Sequence, residues 1–335
     1  MSDIQASEPL RLALVGAGGL GRVWTRFITG LPQARLSAIV DPLVGTDNEA
    51  DWISEDYNDL PKVTSLADLD GTDLDAVVVT AFSTAHHAAV SAALDKGLHV
   101  IVEKPFAVTM AEAEDLVKKA EERGLTLMVS QNYRYFPGAS IIRDIVADGR
   151  YGKIAAAFCQ FNLDWPGKPY QHGMTHAMGL EMGIHHFDMC RALFTANAAD
   201  GYVREWQPAG SQYAAGGAIE ALFDMKGETA EFPFTYSGNL VSRAPRSPWP
   251  GQWRFEFDTK TVLLDTIDGR YGLYACEGDV CEWLGQFDGE DMMFDRPLSH
   301  FIDCVRQGKQ PWSSGRDNLE TLRMALGAEY FGSRR

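Results

Sequence analysis

Six residues near the start of this 335-residue chain, Gly16-Ala17-Gly18-Gly19-Leu20-Gly21, restrict its fold more than any other feature. They follow the apolar run Leu12 to Val15 and precede a helical pattern, so the chain must leave a strand, turn sharply and enter a helix within the glycines. At Gly-x-Gly-x-x-Gly spacing the first glycine permits the turn, the second lets backbone approach a pyrophosphate, and the third allows the helix to pack closely. The helix's unpaired N-terminal amides then face the anion. Asp41 stands 20 residues beyond Gly21 at the end of the next apolar run. A carboxylate there accepts hydrogen bonds from ribose hydroxyls and repels a 2′-phosphate. No Arg or Lys lies between Pro42 and Trp52 to receive such a phosphate. NAD is therefore the expected cofactor, in preference to NADP.

The glycine loop opens an alternation of apolar runs and helical patterns, which is what a parallel sheet with crossover helices requires. Leu12 to Val15, Leu36 to Val40, Ala76 to Thr80, Val100 to Val102 and Leu125 to Val129 read as buried strands. Thr109 and Glu112 have capping-box spacing, and Gly97 and Gly124 follow helical stretches as C-cap candidates. Gly45 to Asp59, acidic and without clear period, reads as a loop or a short surface helix. Beyond about residue 130 the pattern changes to hairpin signals. Strands are expected at Ile154 to Phe161, Gly201 to Trp206, Ala218 to Met225, Glu231 to Tyr236, Gln252 to Phe257 and Thr261 to Thr266. Helices are expected at Gly179 to Phe194, Asp291 to Arg306 and Asp317 to Phe331. The reading is an α/β Rossmann dinucleotide-binding domain over residues 1–130. It is followed over 131–335 by an α+β domain with a large open, mainly antiparallel sheet, and the last helices could return to the first domain.

Charge and cysteine usage narrow the partners. With 30 Lys plus Arg against 46 Asp plus Glu, the net charge is −16, so nucleic acid and anionic membrane surfaces are unfavourable partners. The N-terminus lacks a basic and an apolar leader region, and no stretch nears the roughly 18 apolar residues of a membrane span, so a cytoplasmic protein is expected. Cys159, Cys190, Cys276, Cys281 and Cys304 are odd in number and contain no Cys-x-x-Cys, which reads as reduced, mostly structural thiols.

A second constellation follows the fourth strand as Glu103-Lys104-Pro105. Together with the glycine loop, Thr80 and His86, Gln131-Asn132-Tyr133-Arg134-Tyr135 and Gly183-Ile184-His185-His186-Phe187-Asp188, it makes the chain resemble the Gfo/Idh/MocA oxidoreductases along nearly its whole length. The family is named for glucose-fructose oxidoreductase and inositol dehydrogenase. The resemblance implies NAD(P) on the Rossmann domain and a sugar, polyol or related hydroxylated substrate between the domains. It also implies sheets paired face to face in a homodimer or homotetramer. It adds Thr80, His86, Glu103 and Lys104 to the cofactor-binding residues, and Tyr133 to those that bind substrate. The family's Asp-x-x-x-His is here Glu181-x-x-x-His185, one methylene longer.

Each candidate fits a step of alcohol oxidation. An ammonium at Lys104 would stabilise a developing alkoxide and touch both substrate and cofactor. A neutral imidazole at His185 would accept the hydroxyl proton. On a continuous α-helix Glu181 shares a face with His185, and with Asp188 three residues on, so its carboxylate could orient the ring and contact substrate. Asn162, Asp164, Trp165, Lys168, Tyr170 and His176 form a polar and aromatic segment suited to a sugar face and its hydroxyls, with Trp165 and His176 the chosen contacts. His186 reads as structural, and Ser242 to Trp253 as sheet packing or an oligomer contact. His172, His176, Glu181 and His185 raise zinc as an option, but no His-Glu-x-x-His is present and no metal is expected. The leading expectation is an NAD-dependent oxidoreductase interconverting a secondary alcohol and a ketone. Its rivals are an NAD-dependent glycoside-cleaving enzyme that oxidises the sugar transiently, and a non-catalytic dinucleotide-sensing regulator.

Overall fold

The computed structural model describes residues 8–288 and 294–332. By contacts the chain divides into two compact units, residues 1–131 with 293–319 and residues 132–292 with 320–335.

The first unit starts with β1 (Leu10–Val15), α1 (Gly19–Gly30), β2 (Ala34–Val40), α2 (Asp51–Asp56) and β3 (Lys62–Val63). It continues with β4 (Ala76–Val79), α3 (Ser83–Asp95), β5 (His99–Val102), α4 (Met110–Arg123) and β6 (Leu127–Val129). The six strands form one parallel sheet in the order β3-β2-β1-β4-β5-β6, the doubly wound arrangement in which ligands bind beyond the strands' carboxyl ends. Every residue of β4 is buried, as a parallel strand covered on both faces demands. The Thr109 hydroxyl accepts from the Glu112 amide at 3.2 Å and Gly124 closes α4, as the capping signals predicted. The loop-or-helix stretch resolves into α2.

Later residues complete this unit. Phe294 packs on Trp24 and Phe27 of α1 at ring separations of 5.4 and 5.8 Å, ahead of α7 (Asp295–Gln307). Ser313 accepts the Val129 amide at 2.9 Å and donates its hydroxyl to the Val129 carbonyl at 2.7 Å, holding the end of β6.

In the second unit α5 (Pro137–Asp148) and β7 (Ile154–Asn162) precede α6 (Ile184–Phe194). Strands β8 (Ala196–Trp206), β9 (Ala218–Gly227), β10 (Glu231–Asn239), β11 (Gln252–Phe257) and β12 (Thr261–Ile267) follow. β13 (Arg270–Glu277) and β14 (Val280–Gln286) extend the sheet beyond the expected strands. The eight strands run β14-β13-β12-β11-β7-β10-β9-β8, all neighbours antiparallel except the parallel β7 and β10. Helix α6 lies on one face of this sheet. Phe187 meets Tyr236 at 4.8 Å and Phe223 at 5.4 Å, and Phe194 meets Phe232 at 4.8 Å. α8 (Gly315–Ala325) begins in the first unit and ends in the second.

The cysteine reading needs one correction. Cys276 and Cys281 face each other across the β13–β14 hairpin and are joined by a disulfide, while Cys159, Cys190 and Cys304 are free and buried. A hairpin brings two residues five apart into cross-strand register, which residue spacing read along the sequence did not reveal. Among the described residues no helix is long and apolar enough to cross a membrane, and no His, Cys, Asp and Glu cluster could hold a metal ion.

Candidate active site

The glycine loop joins β1 to α1 and is shaped by close backbone contacts. Gly16 has φ +98°, and a Cβ on it would lie 2.5 Å from the Ala81 nitrogen. A Cβ on Gly21 would collide with the Gly16 carbonyl oxygen. Gly18 and Gly19 differ from these two: a Cβ on either would meet no protein atom within 4 Å. Gly18 is the N-cap of α1, yet no side chain caps the helix and no acidic residue lies in its first turn. The first amides of α1 are thus oriented for an anion, with open space at the position where the motif brings backbone against pyrophosphate.

Asp41 is held beside this loop. Its Oδ2 accepts from the Ala17 amide at 2.7 Å and its Oδ1 from the Leu43 amide at 2.9 Å. Each carboxylate oxygen keeps acceptor capacity for a ribose hydroxyl. Leu20 in the first turn of α1, and Leu43 and the much more exposed Phe82 on the segments that follow β2 and β4, present apolar surface beyond the carboxyl ends of β1, β2 and β4. Leu43 and Phe82 escaped the sequence reading; the available signal was a large apolar residue just beyond a strand end. The residues present fit a dinucleotide.

The other expected cofactor residues take different places. The Thr80 hydroxyl donates to the Gly16 carbonyl at 2.6 Å and so supports the loop from beneath. His86, on α3, is buried with Nδ1 2.7 Å from the Pro105 carbonyl and Nε2 2.8 Å from the Ala81 carbonyl, and burial lowers its pKa. The Glu103 carboxylate is buried and accepts from the Trp24 indole at 2.8 Å and from the Lys104 amide at 3.2 Å. Burial raises its pKa, partly opposed by these bonds and by the nearby Lys104 charge. Lys104 itself is half-buried just past the carboxyl end of β5, and its peptide bond to Pro105 is cis.

In the second unit His185 occupies the first turn of α6 and is buried, its ring stacked on Tyr133 at 4.5 Å with 19° between planes. Glu181 is not on the same α-helix. It lies in a π-helical turn, Gly179–Gly183, so the spacing that places residues four apart on one α-helical face does not carry through it. Its charge reaches Tyr170 and Tyr213; burial is the larger cause of their raised pKa values, and Glu181 adds to it. Asp188 belongs to a buried ion pair. Arg134 donates to it from Nε at 2.6 Å and Nη2 at 2.7 Å, and the Thr321 hydroxyl donates at 2.9 Å. The Tyr133-Arg134 pair thus faces two residues of α6, a role for Arg134 that sequence reasoning missed.

His186 is structural. Its Nε2 donates to the Trp249 carbonyl at 3.2 Å and its Nδ1 accepts from the Tyr236 hydroxyl at 2.9 Å, and burial brings its pKa down to about 4. His176 is held by Glu205 at 2.6 Å and Glu329 at 3.0 Å, which raise its pKa. That fixes His176 between carboxylates of its own unit, where it was expected to contact substrate. Trp165 is half-buried, donating to Gln171 at 3.0 Å with the Lys168 ammonium 4.6 Å above its ring.

Residues 10–131 match the GFO_IDH_MocA family, described as an oxidoreductase family with an NAD-binding Rossmann fold. The D-apiose dehydrogenase of Paraburkholderia graminis is 27% identical, the alignment covering 96% of this chain and 87% of that one. The scyllo-inositol 2-dehydrogenase (NAD(+)) of Bacillus subtilis is 24% identical over 95% of this chain and 93% of its own. Among solved structures, an Agrobacterium radiobacter oxidoreductase in complex with NAD+, L-tartaric acid and magnesium superposes with a TM-score of 0.80. It is 20% identical and covers 96% of this chain and 95% of its own.

Proposed function

Because this chain is an NAD-binding oxidoreductase of the Gfo/Idh/MocA family, we propose that it interconverts a secondary alcohol and a ketone on a sugar, inositol or related polyol. The observation that carries the reading is the glycine cradle, open at Gly18 and Gly19 and flanked by the fixed Asp41 carboxylate. When bound, NAD supplies the acceptor for the hydride that leaves the carbinol carbon. The chain's own residues manage charge and the proton. Lys104 holds an ammonium against the reacting oxygen and stabilises the alkoxide as the O–H bond breaks. His185 takes that proton. Its Nδ1 is buried, so Nε2 is the ring nitrogen to which we assign the transfer. Stacking on Tyr133 fixes the plane of the ring. Glu181, with Tyr170 and Tyr213, would contact substrate hydroxyls near His185, and Trp165 would offer its face to the sugar ring.

The two relatives' names, both dehydrogenases of polyhydroxylated compounds, support this substrate class. We also propose self-association through the outer face of the eight-stranded sheet, where Tyr202 and Leu222 pair across β8 and β9 and remain exposed. Sedimentation of the purified protein tests that; a monomer at all concentrations rejects it. For the activity, NADH absorbance is followed while the protein meets NAD+ and a panel of sugars, inositols and aryl glycosides. Accumulating NADH supports the dehydrogenase. Aglycone release without it supports glycoside cleavage, and NAD+ binding without turnover supports a regulator.

A further inference from the structure

The two residues that flank Lys104 in the chain are each tied to a different helix. On one side, the buried Glu103 carboxylate accepts the Trp24 indole N–H of α1 at 2.8 Å and reaches back to the Lys104 amide at 3.2 Å. On the other, the Pro105 carbonyl faces His86 Nδ1 of α3 at 2.7 Å. The opposite edge of the same imidazole faces the Ala81 carbonyl at 2.8 Å, and Ala81 is the backbone against which Gly16 turns. Thr80, one residue before Ala81, holds the Gly16 carbonyl at 2.6 Å. Two short chains of contacts therefore connect Lys104 with the glycine loop. One runs through Glu103 and Trp24 on the helix that the loop opens; the other runs through Pro105, His86 and Ala81.

Trp24, Glu103 and His86 are all buried, with exposures of 0%, 4% and 1%. Their polar atoms are engaged with protein, so their geometry accounts for them without a cofactor contact.

We propose that Trp24, Glu103 and His86 are positioning residues that brace the backbone of Lys104 against the cofactor loop. The inference rests on the reading that Lys104 acts on the reacting oxygen. A lysine side chain is long and flexible, so the placement of its ammonium depends on how firmly its base is held. A displacement of about 1 Å in a reacting group can cost about 10²-fold in rate. The brace gives Glu103 and His86 an indirect role, acting through Lys104, where the motif suggested contact with the dinucleotide.

The test uses the full-length protein, with Trp24→Phe and His86→Phe made singly and in a Lys104→Met background. Trp24→Phe keeps an aromatic ring against Phe294 and removes only the indole donor, so it remains informative if His86→Phe fails to fold. NAD+ affinity is measured by titration, and turnover is measured with the fastest polyol of the panel. Amide hydrogen exchange over residues 100–107 supplies a readout independent of activity. Each single variant is expected to bind NAD+ within about 3-fold of the parent and to lose about 10- to 100-fold in kcat, with faster exchange confined to residues 100–107. In the Lys104→Met background the same changes should cost nothing further in kcat. Equal losses in both backgrounds, unchanged exchange over 100–107, or a loss confined to NAD+ affinity would overturn the brace. Full turnover by Lys104→Met alone would instead overturn the reading of Lys104, with the exchange result still deciding whether its backbone is braced.

Discussion

In the glycine loop almost every decisive contact belongs to backbone, whereas around His185 almost every one belongs to side chains. Gly16, Gly18 and Gly21 matter for the Cβ atoms they lack, and Asp41 is fixed by two amides. His185 sits in an aromatic stack, and the neighbouring Arg134, Asp188, Thr321 and Arg191 form a buried polar network. Backbone can recognise a constant ligand such as a pyrophosphate with little dependence on the surrounding sequence. A reacting center needs named functional groups, and these need neighbours that hold them.

The largest effects should fall where side chains do the chemistry. His185→Asn and Lys104→Met are each expected to lower kcat by about 10²- to 10⁴-fold while NAD+ titration stays near the parent value. Near-full turnover in either variant would mean that these side chains do not carry the chemistry. Asp188→Asn would remove the buried carboxylate to which Arg134 donates from Nε and Nη2. A loss of about 3–5 kcal/mol in urea unfolding is expected, and one under about 1 kcal/mol would mean that packing, not this network, holds α6.

Two glycine substitutions sharpen the backbone side of the comparison. Gly16→Ala meets Ala81 in a left-handed conformation and should cost about 1–3 kcal/mol in stability. Gly18→Ala meets no protein and should stay within about 0.5 kcal/mol of the parent while weakening NAD+ binding. If both lower the melting temperature equally, the open space at Gly18 is not a ligand's. The smallest effect concerns His176, whose raised pKa comes first from its bond to Glu205. Its contribution to stability is full below the unfolded value of about 6.5 and is lost as pH rises through the higher folded value. Melting curves of His176→Gln should therefore fall below the parent by up to about 1 kcal/mol in acid and converge with it as pH rises. A gap that widens with pH would show the opposite linkage.

Legibility in the sequence followed the same split. The parallel strands other than the two-residue β3, the caps of α4 and the glycine loop announce themselves through short-range patterns of apolar run, glycine and hydroxyl. β14 does not, because four consecutive exposed residues in this edge strand carry no alternation. α5 carried Pro137 at its start and Gly149 at its end, signals that went unused. Glu103 and His86 were recognisable as motif members, but nothing in residue order says that their side chains turn inward to Trp24 and Pro105. The π-helical turn at Glu181 was equally hidden, since its residues suit an ordinary helix as well.

The split of the first unit between residues 1–131 and 293–319 bears on how the chain is made. A ribosome delivers β1 to β6 early, but Ser313, which holds the Val129 backbone, and Phe294, which covers Trp24, arrive only after all eight strands of the other sheet. During synthesis at about 5–20 residues per second, the cofactor-binding sheet must wait with the β6 edge and the outer side of α1 bare. NAD captured by the loop during that interval would act as a folding ligand before it serves as an oxidant.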